Sequence, residues 1–276
     1  MNINGSTTVT GIFGYPIAHT LSPSMHNAAF KALGLDFVYV PFQVAPGDLQ
    51  PAVNSLRVLG IRGINITVPH KEHVVRFLDK IDPLARSIGS VNTVVNDNGI
   101  LTGYNTDGKG FLRDLASQEV KPEGKTVLLV GAGGAGHALA ATLSWAKAGT
   151  IYITDANEKL ARKLVKQTAR TRFVPLSDWK MKINECDILV NATPIGLHDH
   201  DPALVETREL KRDLFVYDLI YHRRTKLAQA ARKAGARYSD GLGMLLFQGA
   251  LAFELWTKKK APVDVMRKAL IKNIKK

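Results

Sequence analysis

The chain has 276 residues, of which 45% are hydrophobic and 22% are charged. This composition is typical of globular proteins, and the apolar fraction is too high for a mainly disordered chain. At roughly 150 residues per domain, the length predicts about two domains. The longest apolar stretch, Leu242–Leu255, is interrupted by Gly243, Gln248, Gly249 and Glu254. We therefore expect no transmembrane span and no membrane partner.

The chain is basic, with 37 Lys and Arg against 24 Asp and Glu, which gives a net charge of +13. A basic protein can bind nucleic acid or attract small anions. Part of the excess lies near the C-terminus, at Lys258–Lys260, Arg267, Lys268, Lys272, Lys275 and Lys276. Because no exposed aromatic pattern accompanies these cations, we interpret them as a solvated helix face and expect no nucleic-acid partner.

The single cysteine, Cys186, excludes an internal disulfide and a zinc site built on thiolates. Residues Met1–Thr10 lack the basic and apolar segments of a secretory signal. Together these features predict a cytoplasmic protein. The one dense histidine cluster, His198–Asp201, follows Pro194 and Gly196, so we interpret it as a loop and expect no metal site.

Strand and helix patterns alternate along the first part of the chain, which predicts an α/β fold with parallel sheets. Ser22 and Pro23 suit the start of a helix, with Ser22 as the N-cap. The turn Asn96–Gly99 predicts a hairpin between two of the strands. In chain order the predicted elements are strand Val9–Phe13, helix Ser22–Gly34, strand Phe37–Phe42, helix Gly47–Leu59, strand Gly63–Val68, helix His70–Leu78, and strands Val91–Val95 and Ile100–Tyr104.

The same alternation continues in a second block and ends in two helices. The predicted elements are helix Lys109–Ser117, strand Lys125–Val130, a helix ending near Ala148, strand Thr150–Thr154, helix Glu158–Thr168, strands Asp187–Asn191 and Phe215–Leu219, helix Lys226–Ala234, a short strand at Ala236–Tyr238, and helices Met244–Thr257 and Val263–Lys275. We expect domains at residues 1–106 and 107–240, with residues 241–276 packing back on the first domain.

The segment Gly131–Gly136 matches the pattern G-x-G-x-x-G between a predicted strand and a predicted helix. In this pattern the first glycine makes a tight turn, the second lets the backbone approach a pyrophosphate, and the third allows close packing of helix and strand. The helix N-terminus adds unpaired N–H groups for the phosphates. The pattern therefore predicts a Rossmann-type dinucleotide-binding domain, whereas a purely structural turn is the alternative.

Asp155 lies 155 − 136 = 19 residues beyond the last glycine of this loop. An acidic side chain at this place accepts hydrogen bonds from the ribose 2′-hydroxyl and repels a 2′-phosphate, which favours NAD. Helix capping is the alternative role, and Asn157 can serve it equally well. Lys159 and Arg162 lie close enough in sequence to reach a phosphate.

Two charged residues stand at predicted helix starts. A cation at the start of a helix is disfavoured by the helix dipole, so Lys71 is either exposed without consequence or retained for acid–base chemistry. Asp107 is favoured at such a place and is expected to stay ionised, although simple capping also explains it. A lysine–aspartate pair would supply a proton donor and a group that orients it.

Four further polar residues have both a structural and a ligand-binding interpretation. Thr20 and Ser22 precede the first helix, where they either cap it or bind a carboxylate. Asn92 and Gln248 lie in apolar segments, where a buried amide is costly unless it is hydrogen-bonded. Each amide is therefore either a satisfied core group or a ligand contact.

Beyond these patterns, the sequence resembles the shikimate dehydrogenase family over nearly its whole length. Seven segments resemble motifs of that family and occur in the same order: Gly14–Asn27, Asn65–Lys71, Val91–Thr93, Asn105–Gly108, Gly131–Gly136, Asn191–Gly196 and Asp240–Gln248. The resemblance implies NADPH- or NADH-dependent reduction of 3-dehydroshikimate to shikimate, a step of aromatic amino-acid biosynthesis. It also implies that the first domain binds the substrate and that the protein is a monomer or a homodimer.

The resemblance assigns roles by position. Lys71 and Asp107 are the implied catalytic pair. The implied substrate-binding residues are Thr20, Ser22, Thr67, Lys71, Asn92, Asp107, Tyr221 and Gln248. The implied cofactor-binding residues are Gly131, Ala132, Gly133, Gly134, Ala135, Gly136, Asp155, Ala156, Asn157, Thr193, Gly241 and Met244.

Two positions depart from the family pattern. Thr20 stands where the family usually has serine, and it keeps the hydroxyl. Thr154–Asn157 stands where NADP-using members carry Asn-Arg-Thr, so the phosphate-binding arginine is replaced by Ala156. The family norm is NADP, but these residues favour NAD or a relaxed preference. The alternatives are an NAD-dependent quinate/shikimate dehydrogenase and, in another class, a nicotinamide-binding sensor without catalysis.

Overall fold

The computed structural model describes residues 3–274, and the chain divides into two compact units. Unit 1 contains residues 1–110 and 245–276, and unit 2 contains residues 111–244. Four residues lie outside the described range: Lys275 and Lys276 of the basic C-terminal stretch, and residues 1 and 2 of the N-terminal segment.

Unit 1 is built on a mixed sheet. Its elements are β1 (Thr8–Gly14), α1 (Ser22–Ala32), β2 (Phe37–Gln43), α2 (Leu49–Val58), β3 (Gly63–Ile66), β4 (Lys80–Ile81), α3 (Pro83–Ile88), β5 (Thr93–Asp97), β6 (Ile100–Tyr104), the start of α4 (Thr106–Ser117), most of α8 (Leu242–Thr257) and α9 (Val263–Ile274). In the described part, the strand order is β2-β1-β3-β5-β6-β4.

The expectation of parallel sheets is wrong for part of unit 1: β5 pairs antiparallel with β6, which confirms the predicted hairpin, and it also pairs antiparallel with β3. The hairpin turn that joins β5 to β6 explains the reversal. Asn98 and Gly99 both have positive φ, of 53° and 88°, as the predicted tight turn requires. Helix α9 packs against α1 within this unit.

Unit 2 has a fully parallel sheet. Its elements are the rest of α4, then β7 (Thr126–Val130), α5 (Gly134–Trp145), β8 (Thr150–Thr154), α6 (Glu158–Gln167), β9 (Thr171–Phe173), β10 (Ile188–Asn191), β11 (Phe215–Asp218), α7 (Lys226–Ala234) and β12 (Arg237–Asp240). The described strands follow the order β12-β11-β10-β7-β8-β9.

This order confirms the predicted Rossmann-type sheet, because it reverses direction between β7 and β10 as a doubly wound dinucleotide-binding fold does. Ligands of such sheets bind at the carboxyl ends of the strands that flank this reversal. The glycine loop follows β7 directly, and Ala192 and Thr193 follow β10. No helix in residues 3–274 combines the length and apolarity needed to cross a bilayer.

Candidate functional site

Lys71 and Asp107 form a close ion pair in unit 1. The Lys71 ammonium donates a hydrogen bond to Oδ2 of Asp107 over 2.7 Å. The side chains are partly screened from solvent, with 33% of Lys71 and 15% of Asp107 exposed. A cation and a carboxylate in this arrangement can hold and move a proton at the Lys71 nitrogen while Asp107 fixes its direction.

The predicted position of Lys71 at the start of a helix is wrong. Lys71 lies in a turn after β3, and only a five-residue 3-10 helix follows, at His73–Phe77. Its orientation comes from Asp107 rather than from a helix dipole. Asp107 does lie in the first turn of α4, where its charge is favoured.

Asn92 lies beside this pair, just before β5 and not inside a strand as predicted. Its Oδ1 accepts hydrogen bonds from the backbone N–H of Thr106 over 2.7 Å and from the Thr106 hydroxyl over 3.1 Å. A backbone N–H can only donate, so the amide orientation is fixed. Its Nδ2 has no partner among residues 3–274 and is therefore available to donate to a ligand.

The other predicted substrate-binding residues of unit 1 have clear local roles. Thr20 accepts a long hydrogen bond, 3.4 Å, from the backbone N–H of Ser22. The prediction that Ser22 caps α1 is wrong, because Leu21 is the N-cap residue and the buried Ser22 side chain lies near that of Tyr39 instead. Thr67 is half-buried just after β3. Gln248, 8% exposed, donates to the Leu245 carbonyl over 2.9 Å.

Gly110 explains how α4 approaches α8 within unit 1. A Cβ at Gly110 would lie 2.6 Å from the backbone nitrogen of Gln248 and 3.0 Å from its Cα. Only glycine permits this approach. The start of α4, which carries Asp107, therefore lies close to Gln248 of α8.

The glycine loop of unit 2 has the shape that its pattern predicts. Gly131 has φ +108°, and a Cβ there would lie 2.8 Å from the backbone of Ala192, which follows β10. A Cβ at Gly136 would lie 2.0 Å from the carbonyl oxygen of Gly131. By contrast, a Cβ at Gly133 or Gly134 would meet no atom within 4 Å.

These differences separate two roles in the loop. Gly131 and Gly136 are required by packing inside unit 2, whereas packing does not require glycine at 133 or 134. The free space lies at the N-terminus of α5, where unpaired N–H groups favour a phosphate. The residues present therefore fit a dinucleotide.

Asp155 joins the glycine loop to the loop after β8. Its Oδ2 accepts from the backbone N–H of Ala132 and its Oδ1 from the backbone N–H of Asn157, both over 2.7 Å. Capping of α6 belongs to Asn157, whose side chain accepts from the N–H of Lys159 over 3.2 Å. Ala156 is exposed between them.

Thr193 is positioned by a buried network that the sequence interpretation did not assign. Asn191 Oδ1 accepts from the Thr193 backbone N–H over 3.0 Å and from its hydroxyl over 2.7 Å. Asn191 Nδ2 donates to Asp218 Oδ1 over 2.9 Å, and Thr225 donates to Asp218 Oδ2 over 2.7 Å. Burial raises the pKa of Asp218. The sequence does carry a signal for this network, because the apolar strands Ile188–Asn191 and Phe215–Asp218 each end in a polar residue.

The remaining predicted residues lie near the ends of β11 and β12. A Cβ at Gly241 would lie 2.2 Å from the carbonyl oxygen of Leu219, so this position requires glycine. Met244 packs against the unit 2 core. Tyr221 lines a cavity of about 560 Å³ together with Arg224 and Arg232, and burial raises its pKa.

The structure supports the loop interpretation of His198–Asp201. This segment has no helix or strand, and Asp201 accepts from the backbone N–H groups of Gly196 and His198. Within residues 3–274, no three His, Cys, Asp or Glu side chains are grouped so that they could hold a metal ion.

Comparisons with known proteins give one consistent result. Three family patterns match the chain: the shikimate dehydrogenase substrate binding domain at residues 12–94, shikimate / quinate 5-dehydrogenase at residues 114–219, and the shikimate 5′-dehydrogenase C-terminal domain at residues 241–271. The shikimate dehydrogenase (NADP(+)) of Desulforamulus reducens is 46% identical, over 99% of this chain and 98% of that protein.

Two solved structures are similar in fold as well as in sequence. One is a shikimate dehydrogenase in complex with NADP+, with a TM-score of 0.94 and 39% identity, covering 100% of this chain and 98% of the other. The second is the shikimate 5-dehydrogenase of Listeria monocytogenes in complex with shikimate and NAD. It has a TM-score of 0.93 and 36% identity, over 97% of this chain and 98% of that one.

Proposed function

Because the chain belongs to the shikimate dehydrogenase family, we propose that it catalyses the reversible NAD(P)H-dependent reduction of 3-dehydroshikimate to shikimate, a step of aromatic amino-acid biosynthesis. The observation that carries the proposal is the 2.7 Å contact of Lys71 with Asp107. The ammonium is held by one carboxylate oxygen and keeps further N–H bonds for a ligand.

We assign substrate binding to unit 1. Thr20 and Ser22 bind the carboxylate near the start of α1. Asn92 donates from its free Nδ2 to a ring hydroxyl, and Thr67 and Gln248 bind the other hydroxyls. Asp107 accepts from a hydroxyl through the oxygen that Lys71 does not occupy.

Lys71 manages the proton of the reaction. When bound, the nicotinamide group supplies or accepts the hydride. In the reduction, Lys71 donates a proton from Nζ to the carbonyl oxygen of 3-dehydroshikimate, and in the oxidation it takes the proton back from the shikimate hydroxyl. Asp107 keeps the Lys71 ammonium directed at that oxygen throughout.

Unit 2 is assigned to the cofactor. The N–H groups of Gly131–Gly136 bind the pyrophosphate, and Thr193, Gly241 and Met244 lie on the nicotinamide side. The loop Asp155–Asn157 meets the adenosine ribose, where we propose that NAD is preferred over NADP. The Asp155 carboxylate repels a 2′-phosphate, and Ala156 provides no guanidinium to bind one.

Two contacts of Arg162 support this preference. It pairs with Glu158 over 3.3 Å and lies over the Phe173 ring, 3.8 Å from its centroid. Both contacts direct the Arg162 guanidinium toward groups of its own unit, and Lys159 is a further nearby cation that could offset Asp155. The proposed preference differs from the name of the relative described above, a shikimate dehydrogenase (NADP(+)).

The decisive experiment is oxidation of shikimate and quinate, each with NAD and with NADP, followed by absorbance of the reduced nicotinamide. We expect shikimate to be the better substrate and NAD to give the higher kcat/KM. Faster turnover of quinate would favour the second candidate, a quinate/shikimate dehydrogenase, which the family description also covers. No turnover of either acid would favour a nicotinamide-binding sensor and overturn the proposal.

We also propose a cytoplasmic setting and a monomer or homodimer. The single thiol, Cys186, is buried, and burial raises its pKa to about 12, so it is poorly suited to redox chemistry.

A further inference from the structure

A phenol and an amide meet inside the core of unit 1, where neither is needed to close the sheet. The Tyr39 hydroxyl donates to Oδ1 of Asn65 over 2.8 Å. Tyr39 is 1% exposed and Asn65 is 5% exposed. The two residues lie on β2 and β3, which are separated by β1, so the tyrosine side chain spans a whole strand to make this bond. Buried polar groups of this kind are costly unless they are fully hydrogen-bonded.

The Tyr39 ring is fixed by its packing. It stacks on the buried His26 ring with a centroid distance of 4.4 Å and an interplanar angle of 5°, and it lies 5.9 Å from the Trp256 ring. Its backbone N–H and carbonyl both bond to the Asn27 side chain. Burial raises the pKa of Tyr39, so the hydroxyl stays protonated and donates at any pH at which the protein works.

Asn65 continues the hydrogen bonds toward the site. Its Nδ2 donates to the carbonyl oxygen of Asn92 over 3.1 Å and to the Thr93 hydroxyl over 3.0 Å. A carbonyl can only accept, so the amide of Asn65 has one possible orientation. That orientation presents Oδ1 to Tyr39.

The connected hydrogen bonds run from Tyr39 to the proposed substrate site. At one end, Asn92 holds Thr106, the residue immediately before Asp107. At the other end, the Ser22 side chain lies near the Tyr39 hydroxyl. From Tyr39 through Asn65 to the Asn92 carbonyl, each group donates to the next, and Thr106 donates to the Asn92 side chain from the opposite direction.

We propose that Tyr39 and Asn65 are positioning residues for the dehydrogenase reaction, acting through Asn92 and Thr106 to hold the substrate-facing amide and Asp107 in place. This inference rests on the proposed function. Tyr39 and Asn65 do not touch the substrate. They determine how rigidly the substrate-binding residues are held. A buried network of this kind is rigid when every member is satisfied and loosens when one bond is lost.

The test removes one oxygen atom. Tyr39→Phe keeps the ring on His26 but leaves Asn65 Oδ1 without its donor, so Asn65 and then Asn92 gain freedom. We expect kcat for shikimate oxidation to fall roughly tenfold, while KM for shikimate stays within about twofold, because misplacement of catalytic groups acts on turnover. Both are measured with saturating cofactor, well below the unfolding temperature of each variant.

Tyr217→Phe is the matched control. Tyr217 is also fully buried and also donates to a single side chain, Asp114, over 2.7 Å, but it lies in unit 2 and outside this path. It should lower the unfolding temperature to a similar degree and leave kcat near the wild-type value. A purely structural effect of losing a buried hydroxyl would affect both variants alike.

A double-mutant cycle with Asn65→Ala identifies the route. If Tyr39 acts through Asn65, the double variant has about the kcat of Asn65→Ala alone. The proposal would be overturned by equal kcat for Tyr39→Phe and Tyr217→Phe, or by independent losses of kcat that multiply in the double variant. In either case, turnover of shikimate by the wild-type protein would leave the proposed function intact. A wild-type protein that turns over no shikimate overturns both.

Discussion

Two lysine–aspartate pairs among the described residues of unit 1 involve helix α4. Lys71 contacts Asp107 over 2.7 Å, whereas Lys109 lies 3.5 Å from Asp82. Lys109 is more exposed than Lys71, and exposed pairs contribute little to stability. The closer pair, in the more screened place, is the one that can control a proton.

Replacing Lys71 by alanine should therefore affect the chemistry. We expect kcat of Lys71→Ala to fall about 10²–10⁴-fold, which is the usual effect of removing a positioned general acid. Shikimate binding, measured by titration calorimetry, should weaken far less. Lys109→Ala is the control and should keep wild-type kcat. Unchanged kcat in Lys71→Ala would remove the assignment.

At the residue scale, the sequence predicts chemistry better than it predicts contacts. Asn157 caps a helix as anticipated, because capping depends on neighbours along the chain. Ser22 has the same local signal, yet its hydroxyl turns to Tyr39, a residue 17 positions away. Asn65 has no such local signal, since its partners Tyr39 and Thr93 lie on other strands. Contacts between different strands of a sheet cannot be recognised from the residues that neighbour each other in the sequence.

The strand–loop–helix unit around the glycine loop shows how an element divides its tasks. Gly131 and Gly136 permit close packing within unit 2, while the Cβ position of Gly133 is open. The three glycines look equivalent in the sequence pattern. Substitutions should distinguish their roles, because in the structure the Cβ positions of Gly131 and Gly136 face the backbone of unit 2, whereas that of Gly133 faces open space.

Gly133→Ala and Gly136→Ala should therefore fail in different ways. Gly136→Ala places a Cβ against the Gly131 carbonyl and should lower the unfolding temperature markedly. Gly133→Ala should keep the wild-type unfolding temperature but raise KM for the cofactor roughly tenfold, equivalent to about 1.4 kcal/mol of binding. Calorimetry and steady-state kinetics measure the two effects. Gly47→Ala, whose Cβ also meets open space, is the control. Normal cofactor KM in Gly133→Ala would contradict the assigned pyrophosphate site.

Element prediction succeeds where the periodic pattern is long and fails where neighbours decide. Strand Thr150–Thr154 and helix Lys226–Ala234 have the predicted bounds. The strand Lys80–Ile81 has only two residues and depends on pairing with the hairpin strand β6, so no local pattern marks it. Helix Pro83–Ile88 was missed despite a clear signal, since Asp82 caps it and a proline opens it.

On the scale of the whole molecule, each unit has its own sheet and its own buried core. The core of unit 1 includes His26, whose two ring nitrogens have no hydrogen-bond partner among the described residues. Burial lowers the pKa of His26 from 6.5 to about 3. The protonated ring would be a buried, unpaired cation, so the folded protein keeps it neutral.

This histidine should make unit 1 sensitive to acid. Between pH 6.5 and about 3 the unfolded chain binds a proton at His26 that the folded chain does not, so the free energy of unfolding falls as the pH falls. The slope from this group is at most about 1.4 kcal/mol per pH unit. His26→Phe, which keeps a ring on Tyr39, should lose less stability than wild type between pH 7 and pH 5. Urea denaturation at both pH values measures this, and equal losses would contradict it.

The chain order of the two units has a consequence for biosynthesis. Unit 2 is a continuous stretch, residues 111–244, so all of it has been synthesised before the final helix, α9, is translated. Unit 1 is interrupted by that stretch, and α1 must wait for α9 before it gains its packing partner. The sequence of the nucleotide-binding half is thus complete first, whereas the half that carries Lys71 and Asp107 can close only after translation has reached the final helix.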